Sequence, residues 1–371
     1  MIDRDDIGAW VRLLATPGIG RDSARRLLAA FGSANTIFAA SNASLREVVG
    51  AAAATALGEQ ASEVEEQVAR ALAWLDEASP EARSIVTLGD ARYPPSLLET
   101  ADPPLLLYTQ GRCDLLHAKA IAVVGSRNPT RQGTENARAF SNHLSQAGWT
   151  IVSGLALGID AAAHTGGLDG PGSTIAVVGT GLDSIYPKQN RELAHRIAAE
   201  GLIVSEFPLG TSPRSENFPI RNRIIAGMSS GTLVVEAALQ SGSLITARLA
   251  LEAGRDVFAI PGSIHSPQAR GCHALIKQGA KLVDRAEDVL EELTSSSGIA
   301  DRSSKVLDSR SEIGARDVIL EALGFDPASL DTLIARTGWA AAELQAHLLD
   351  LELAGRVVRL PGQLFQRMAH G

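Results

Sequence analysis

The sequence predicts an α/β protein. A doubly wound, Rossmann-like parallel-sheet domain is flanked by an N-terminal helical domain of SAM or helix-hairpin-helix type and a C-terminal winged helix. Three observations carry this. Between residues 111 and 293 short apolar runs alternate with helical stretches. The runs are unbroken Val/Ile/Ala rather than period-two, the mark of strands covered on both faces and hence of a parallel sheet. Before them the chain has the Ala/Leu spacing of helices, and after them a Ser-rich stretch leads to three helical segments and two short β runs.

The first segment, 1–110, shows no β run until IVTL at 85–88. Within it TPGIGRDSARRLLAAFGS (16–33) places a Pro-Gly-Ile-Gly turn before a helix that ends near Gly32. Two readings stand side by side. One is a helix-hairpin-helix turn offering backbone N–H groups to a DNA phosphate, the other a plain corner between two helices. In the second segment, 111–293, the strands are IAVVG (121–125), TIVSG (150–154), TIAVVG (174–179), LIVSE (202–206), TLVVEA (232–237) and DVFAIPG (256–262). Residues 294–312, TSSSGIADRSSKVLDSRSE, read as a linker. From 313 to 371 three helices precede β runs around Leu360-Pro361-Gly362, which fits a winged helix. Its third helix carries Glu343, Asp350 and Glu352 and no Lys or Arg, so protein contact suits it better than DNA reading.

Charge raises an objection to nucleic acid as a partner. The 34 basic and 42 acidic side chains leave a net −8, whereas nucleic-acid binders usually carry a basic surplus. The excess is unevenly placed. Residues 1–110 hold nine arginines against 15 acidic groups, while 111–293 balance 17 against 17. A neutral domain can gather cations locally, and the local field decides phosphate binding. Two cysteines, Cys113 and Cys272, make neither a disulfide framework nor a zinc knuckle. The acidic start MIDRDDIGAW lacks the pattern of a signal peptide, and no apolar run approaches membrane-span length. The expectation is a cytoplasmic protein with no membrane partner.

Open parallel sheets hold ligands beyond the carboxyl ends of their strands. The residues just past each strand therefore make up the candidate site. Gly125-Ser126-Arg127 comes after the first and Ser153–Ala156 with Gly158-Ile159-Asp160 after the second. Tyr186-Pro187-Lys188 comes after the third, and a long loop ending in Asn217-Phe218-Pro219-Ile220-Arg221-Asn222-Arg223 after the fourth. Glu236 and Ser241-Gly242-Ser243 come after the fifth, the serines at a helix start. Small residues permit close backbone approach, and Arg127, Lys188, Arg221 and Arg223 add cations to the same rim. With Phe218 and Tyr186 available to stack, the set suits a groove for single-stranded nucleic acid. For Tyr186, just before Pro187, packing at a structural corner is the favoured reading.

Competing chemistries fit less well. Gly-Ser-Arg-Asn-Pro-Thr is not G-x-G-x-x-G, no acidic residue closes the second strand, and no Walker A sequence occurs. No cofactor is expected. Asp160 and His164 stand four apart on a helix, a spacing compatible with acid–base work but more commonly with local hydrogen bonds. No HExxH or clustered ligand spacing points to a metal.

Between 121 and 281 the chain carries GSR, SGLALGIDAAAH, GTGLDSIYPKQNREL, VSEFPLGTSPRSENFPIRNRIIAGMSS, VVEAALQSGSLITARLALEAGRDVFAIPG and GCHALIKQGAKLV. On these motifs the run closely resembles the DNA-processing protein A (DprA/Smf) family. His273 departs from the Asn usual there. The resemblance implies a protein without catalysis that binds and protects single-stranded DNA during natural transformation. It also implies help in loading the RecA recombinase for DNA recombination, and a homodimer joined through the Rossmann-like domain. Carried over by motif, the DNA contacts are Gly125, Ser126, Arg127, Lys188, Asn217, Phe218, Arg221, Asn222 and Arg223. More distantly the fold resembles nucleotide phosphoribohydrolases, but EAALQSGS (236–243) stands where their Pro-Gly-Gly loop would fall. A regulator holding duplex DNA through its winged helix is the other alternative.

Overall fold

A computed structural model of the chain describes residues 4–59, 61–77, 83–294, 323, 328–337, 344, 348, 351–352, 357–360 and 364–367. Residues Met1–Thr294 form one compact unit and Ser295–Gly371 another.

The first unit is organised by a nine-stranded sheet. Its strands are β1 (Arg83–Thr87), β2 (Leu106–Gly111), β3 (Ala120–Val124), β4 (Thr150–Ser153), β5 (Thr174–Val177), β6 (Leu202–Ser205), β7 (Gly231–Val234), β8 (Asp256–Ala259) and β9 (Lys281–Leu282). The order is β1-β2-β6-β5-β4-β3-β7-β8-β9. From β6 through β9 all pairs are parallel, whereas β1–β2 and β2–β6 are antiparallel. The chain leaves β3 in one direction through β4, β5 and β6, then returns to β3's other side for β7. That reversal is a topological switch point, where open α/β sheets leave a crevice beyond the strand ends.

Unbroken apolar runs behave as expected. Ile121 and Val123 of β3 join a core on one face, with Ile151, Ile159 and Leu144. Their neighbours Ala122 and Val124 join a second core on the other face, with Ile224, Ala247 and Leu275. Helices cover both layers: α8 (Arg131–Gln146), α9 (Ile159–Leu168), α10 (Arg191–Glu200), α11 (Asn217–Met228), α12 (Ser243–Glu252) and α13 (Arg270–Lys277).

The N-terminal part supplies α1 (Arg4–Ala15), α2 (Arg21–Phe31), α3 (Ala34–Ala39), α4 (Asn42–Val49), α5 (Ala51–Gly58), α6 (Ser62–Asp76) and the short α7 (Pro95–Leu98). Leu13, Leu27, Ile37 and Leu45 form their shared core. Gly18 and Gly32 adopt φ +80° and +83°, which opens the turn before α2 and closes its end. This part is not wholly helical. β1 begins at Arg83 and β2 at Leu106, both on the N-terminal side of the boundary drawn at 110. Leu106–Gly111 is too short to show a period, and its place comes from pairing with β6.

In the second unit, β10 (Ala328–Ser329), β12 (Leu364–Arg367) and β11 (Val357–Leu360) lie in that order in one antiparallel sheet. A helix spans Leu330–Thr337. Leu333, Leu344, Leu348, Leu351 and Phe365 share a core beside the β11–β12 hairpin. The linker beyond Thr294, most of the first and third helices, and Glu343 and Asp350 lie outside the described residues. Glu352 is exposed.

Candidate functional site

A cavity of about 710 Å³ opens at the switch point. One wall is the loop after β3, Gly125 to Asn128, another the stretch after β7, Ala238 to Ser243, and a third the start of α11. The loop after β3 is held tightly. Ser126 N donates to Glu236 O at 2.7 Å, and Ser126 Oγ accepts from Asn128 N at 3.1 Å. A Cβ on Gly125 would come within 2.7 Å of Ile159 Cγ1 and 2.9 Å of Glu236 O, so this approach requires glycine. The Glu236 carboxylate accepts from Thr130 N at 2.9 Å and from Thr130 Oγ1 at 2.5 Å. The N-terminus of α8 is thereby met by the protein's own carboxylate. The start of α12 instead faces the cavity through Ser241, Gly242 and Ser243.

The segment 217–223 forms the first two turns of α11 instead of a loop. Pro219 is compatible with this because the first turn needs no intrahelical N–H donors. Helical geometry then sorts the residues. At about 100° per residue, Phe218, Arg221 and Asn222 share a face, while Arg223 lies roughly 140° from Phe218. Phe218, Arg221 and Asn222 line the cavity. Asn217, largely buried, donates through Nδ2 to Gly179 O at 3.0 Å.

Arg223 points elsewhere. It pairs with Glu206 and, at 3.4 Å, with Asp102, and donates to Asp102 O at 2.7 Å. Arg21 and Arg25 of α2 join the same cluster, at 3.0 and 2.6 Å from Asp102. Burial raises Glu206's pKa, and the nearby Arg223 and Arg21 oppose that shift. The cluster fastens the N-terminal helices to the sheet. Two of the three arginines on the helix after the Gly18–Gly20 turn, Arg21 and Arg25, are thus engaged in this cluster, and Arg26 pairs with Asp22.

Arg221 is only 4% exposed. It donates to the carbonyls of Gly154 (2.7 Å) and Val177, and its Nε donates to Asn222 Oδ1 at 3.2 Å. Burial pushes its pKa down to about 10, against the pull of Asp160. Burial raises Asp160 in turn, opposed by Arg221 and by the N–H groups of Ala156 and Gly154. His164 accepts from Leu155 N through Nε2 and lies 2.7 Å from Thr174 Oγ1 through Nδ1. Thr174 Oγ1 donates to Ile151 O, so Nδ1 carries the proton. Burial drives this imidazole down to about 3. Asp160 and His164 therefore make local hydrogen bonds to the loop after β4 and to β5. Among the described residues no group of three His, Cys, Asp or Glu is placed to hold a metal.

Arg127 is exposed on the cavity wall, with its guanidinium 5.6 Å from the Phe218 ring centre. Tyr186 differs from the corner expectation. It is 45% exposed, lines the cavity and lies 5.7 Å from Phe218. The side chains thus offer a cation and two aromatic faces in one place, the equipment for a phosphate with its base. Lys188 is exposed at the turn before α10, outside the lining, and among the described residues forms no ion pair. Sequence reading named Tyr186 for stacking but favoured a packed corner for it, and it missed Thr246, which lines the cavity while 2% exposed.

Residues 84–294 match the family described as DNA recombination-mediator protein A, and 307–363 match the DprA winged helix domain. The chain is 43% identical to Protein Smf of Escherichia coli (strain K12) over 298 residues, 78% of each chain. In solved structures it is similar to DNA processing protein A of Streptococcus pneumoniae, with a TM-score of 0.64 and 38% identity. That match covers 78% of this chain and 98% of the other. It is also similar to DNA processing protein A of Helicobacter pylori, whose structure concerns a single-stranded DNA binding mode. There the TM-score is 0.53 at 30% identity, covering 58% of this chain and 96% of that one.

Proposed function

Because the chain belongs to the DNA recombination-mediator protein A family, we propose that it binds single-stranded DNA in the switch-point cavity. In this role it protects strands taken up in natural transformation and helps load the RecA recombinase onto them, without catalysis. Family membership also supports a homodimer joined through the sheet domain and a cytoplasmic setting. Among the described residues no helix is long and apolar enough to cross a membrane.

The observation that carries the reading is Arg127 over Phe218 with Tyr186 beside it. A base stacks on Phe218 or Tyr186, and its phosphate meets Arg127 at the loop after β3. Lys188 takes a neighbouring phosphate outside the cavity. Asn217, Arg221 and Asn222 hold the wall in shape, and Arg223 braces α11 from behind.

Fluorescence anisotropy of dT oligomers over a salt series tests this, with duplex probes alongside. Single strands should bind in preference to duplex. Arg127→Ala should reduce the log–log salt slope by about 0.7, the value for one lost phosphate contact on a single strand. Phe218→Ala should weaken binding by about 1–3 kcal/mol. Affinity indifferent to both variants would sink the assignment.

A further inference from the structure

A second cavity of about 310 Å³ lies where the N-terminal helices meet α10. Tyr186 belongs to its wall as well as to that of the switch-point cavity, so the two are neighbours across one ring. Leu155, Val178 and Ile203 give the second cavity an apolar surface and are 1–7% exposed. Trp74 adds an aromatic one, with the Arg83 guanidinium 5.1 Å from its ring centre. Arg83 is held by Trp74 O at 2.8 Å and Glu77 at 3.2 Å, and its Nε is buried without a hydrogen-bond partner among the described residues. Gln110, Asp183, Ser184 and His195 complete the polar lining.

Charge and size say what fits. Two carboxylates, Glu77 and Asp183, against one guanidinium make the lining acidic at neutral pH, which disfavours a phosphate. An uncharged heterocycle with N–H donors meets the same carboxylates and Gln110 favourably. The volume stands at the small end of ligand cavities, roughly 300–1,000 Å³, room for a single base. Lys188, two residues beyond Tyr186, is exposed outside both linings.

We propose that this cavity receives a second base of the bound strand, adjacent to the one stacked on Phe218. The strand crosses Tyr186, and the phosphate between the two nucleotides faces Lys188. The inference rests on the single-stranded DNA reading and adds a separate subsite to it.

The test uses the full chain with dA oligomers of one to six nucleotides, by anisotropy and tryptophan emission. Extending the ligand past one nucleotide should raise affinity on the order of tenfold, the scale of one stacked base. Ala198→Phe, which fills the cavity at a half-buried position, should abolish that gain while leaving the mononucleotide affinity intact. Gln110→Ala should reduce the gain without adding bulk. Oligomers should also change tryptophan emission, and Trp74→Phe should remove that component. Suppose Phe218→Ala weakens binding while Ala198→Phe, Gln110→Ala and Trp74→Phe leave length dependence and emission as in the wild type. The subsite is then wrong and the main cavity stands. Free adenosine altering Trp74 emission where oligomers do not would overturn the strand path. Indifference to Phe218→Ala as well would overturn the strand's placement, on which the subsite rests.

Discussion

Replacing Arg221 separates a cation that touches DNA from one that holds the cavity together. The side chain is 4% exposed and donates to the carbonyls of Gly154 and Val177. It also faces Asp160, whose carboxylate is buried beside it. Arg221→Ala strips two buried carbonyls of a donor, each worth about 1–3 kcal/mol. It also removes the guanidinium whose charge favours ionised Asp160. These losses overlap, so the expected total is about 2–5 kcal/mol. That is a large share of the ordinary stability of roughly 5–15 kcal/mol. Urea unfolding followed by tryptophan emission measures it, since Trp10, Trp74 and Trp149 all belong to the first unit. Arg221→Ala combined with Asp160→Asn should lose less than the sum of the single changes, with a coupling of about 0.5–3 kcal/mol. Arg127→Ala, at an exposed position, should shift stability by no more than about 0.5 kcal/mol. If Arg221→Ala unfolds at the wild-type urea concentration yet fails to bind DNA, its guanidinium is a DNA contact and the reasoning fails.

The same contacts set further outcomes. His164 is held neutral in the fold down to about pH 3, whereas an unfolded chain protonates it near pH 6.5. Its contribution is therefore complete above pH 6.5 and is lost as pH falls towards 3, up to about 5 kcal/mol in all. Asp160, shifted upward by burial, acts in the opposite sense; the difference between wild type and His164→Gln across an acid titration isolates the histidine. Gly125→Ala should cost about 1–3 kcal/mol, seen as a lowered melting temperature, because the new methyl meets Ile159 and Glu236 O. Arg223→Ala leaves Glu206 largely buried with only Arg21, at 3.4 Å, and should destabilise by about 3 kcal/mol. The salt slope for single-stranded DNA should stay unchanged; a fall of about 0.7 would make Arg223 a phosphate contact after all.

Much of the central sheet was legible because buried parallel strands advertise themselves as unbroken Val/Ile runs. β3 to β8 fall where IAVVG, TIVSG and their successors stand. The edge was not. Leu106–Gly111 has no period to read, and its pairing with β6 is a long-range fact. The site divides in the same way. Arg127 and Phe218 were visible as rim residues, since strand-end loops and a stacking ring announce themselves by type. Arg221 and Arg223 look alike in sequence, two arginines separated by one asparagine. Only the helical phase of α11 turns one into the cavity wall and the other toward Asp102 and Glu206. Reading 217–223 as a loop hid that phase. Tyr186 was ranked as a packed corner above a stacking ring, because a tyrosine before a proline suggests one, yet it is 45% exposed beside Phe218.

The acidic net charge acquires a structural meaning from these pairings. Arg21, Arg25 and Arg223 are taken up by Asp102 and Glu206, and Arg221 is buried beside Asp160. Of the four rim cations read from the sequence, Arg127 and Lys188 remain exposed near the cavity. A strand that touches only these two should show a salt slope of about 1.4, at about 0.7 per phosphate. Binding then leans on stacking against Phe218 and Tyr186, which salt hardly weakens, rather than on charge. A duplex, whose bases are already stacked on each other, gains little from those rings. If the strand is held in the proposed cavity, its preference over duplex comes from what the cavity asks of the bases, with Arg127 and Lys188 alone of the four rim cations left exposed to meet phosphates.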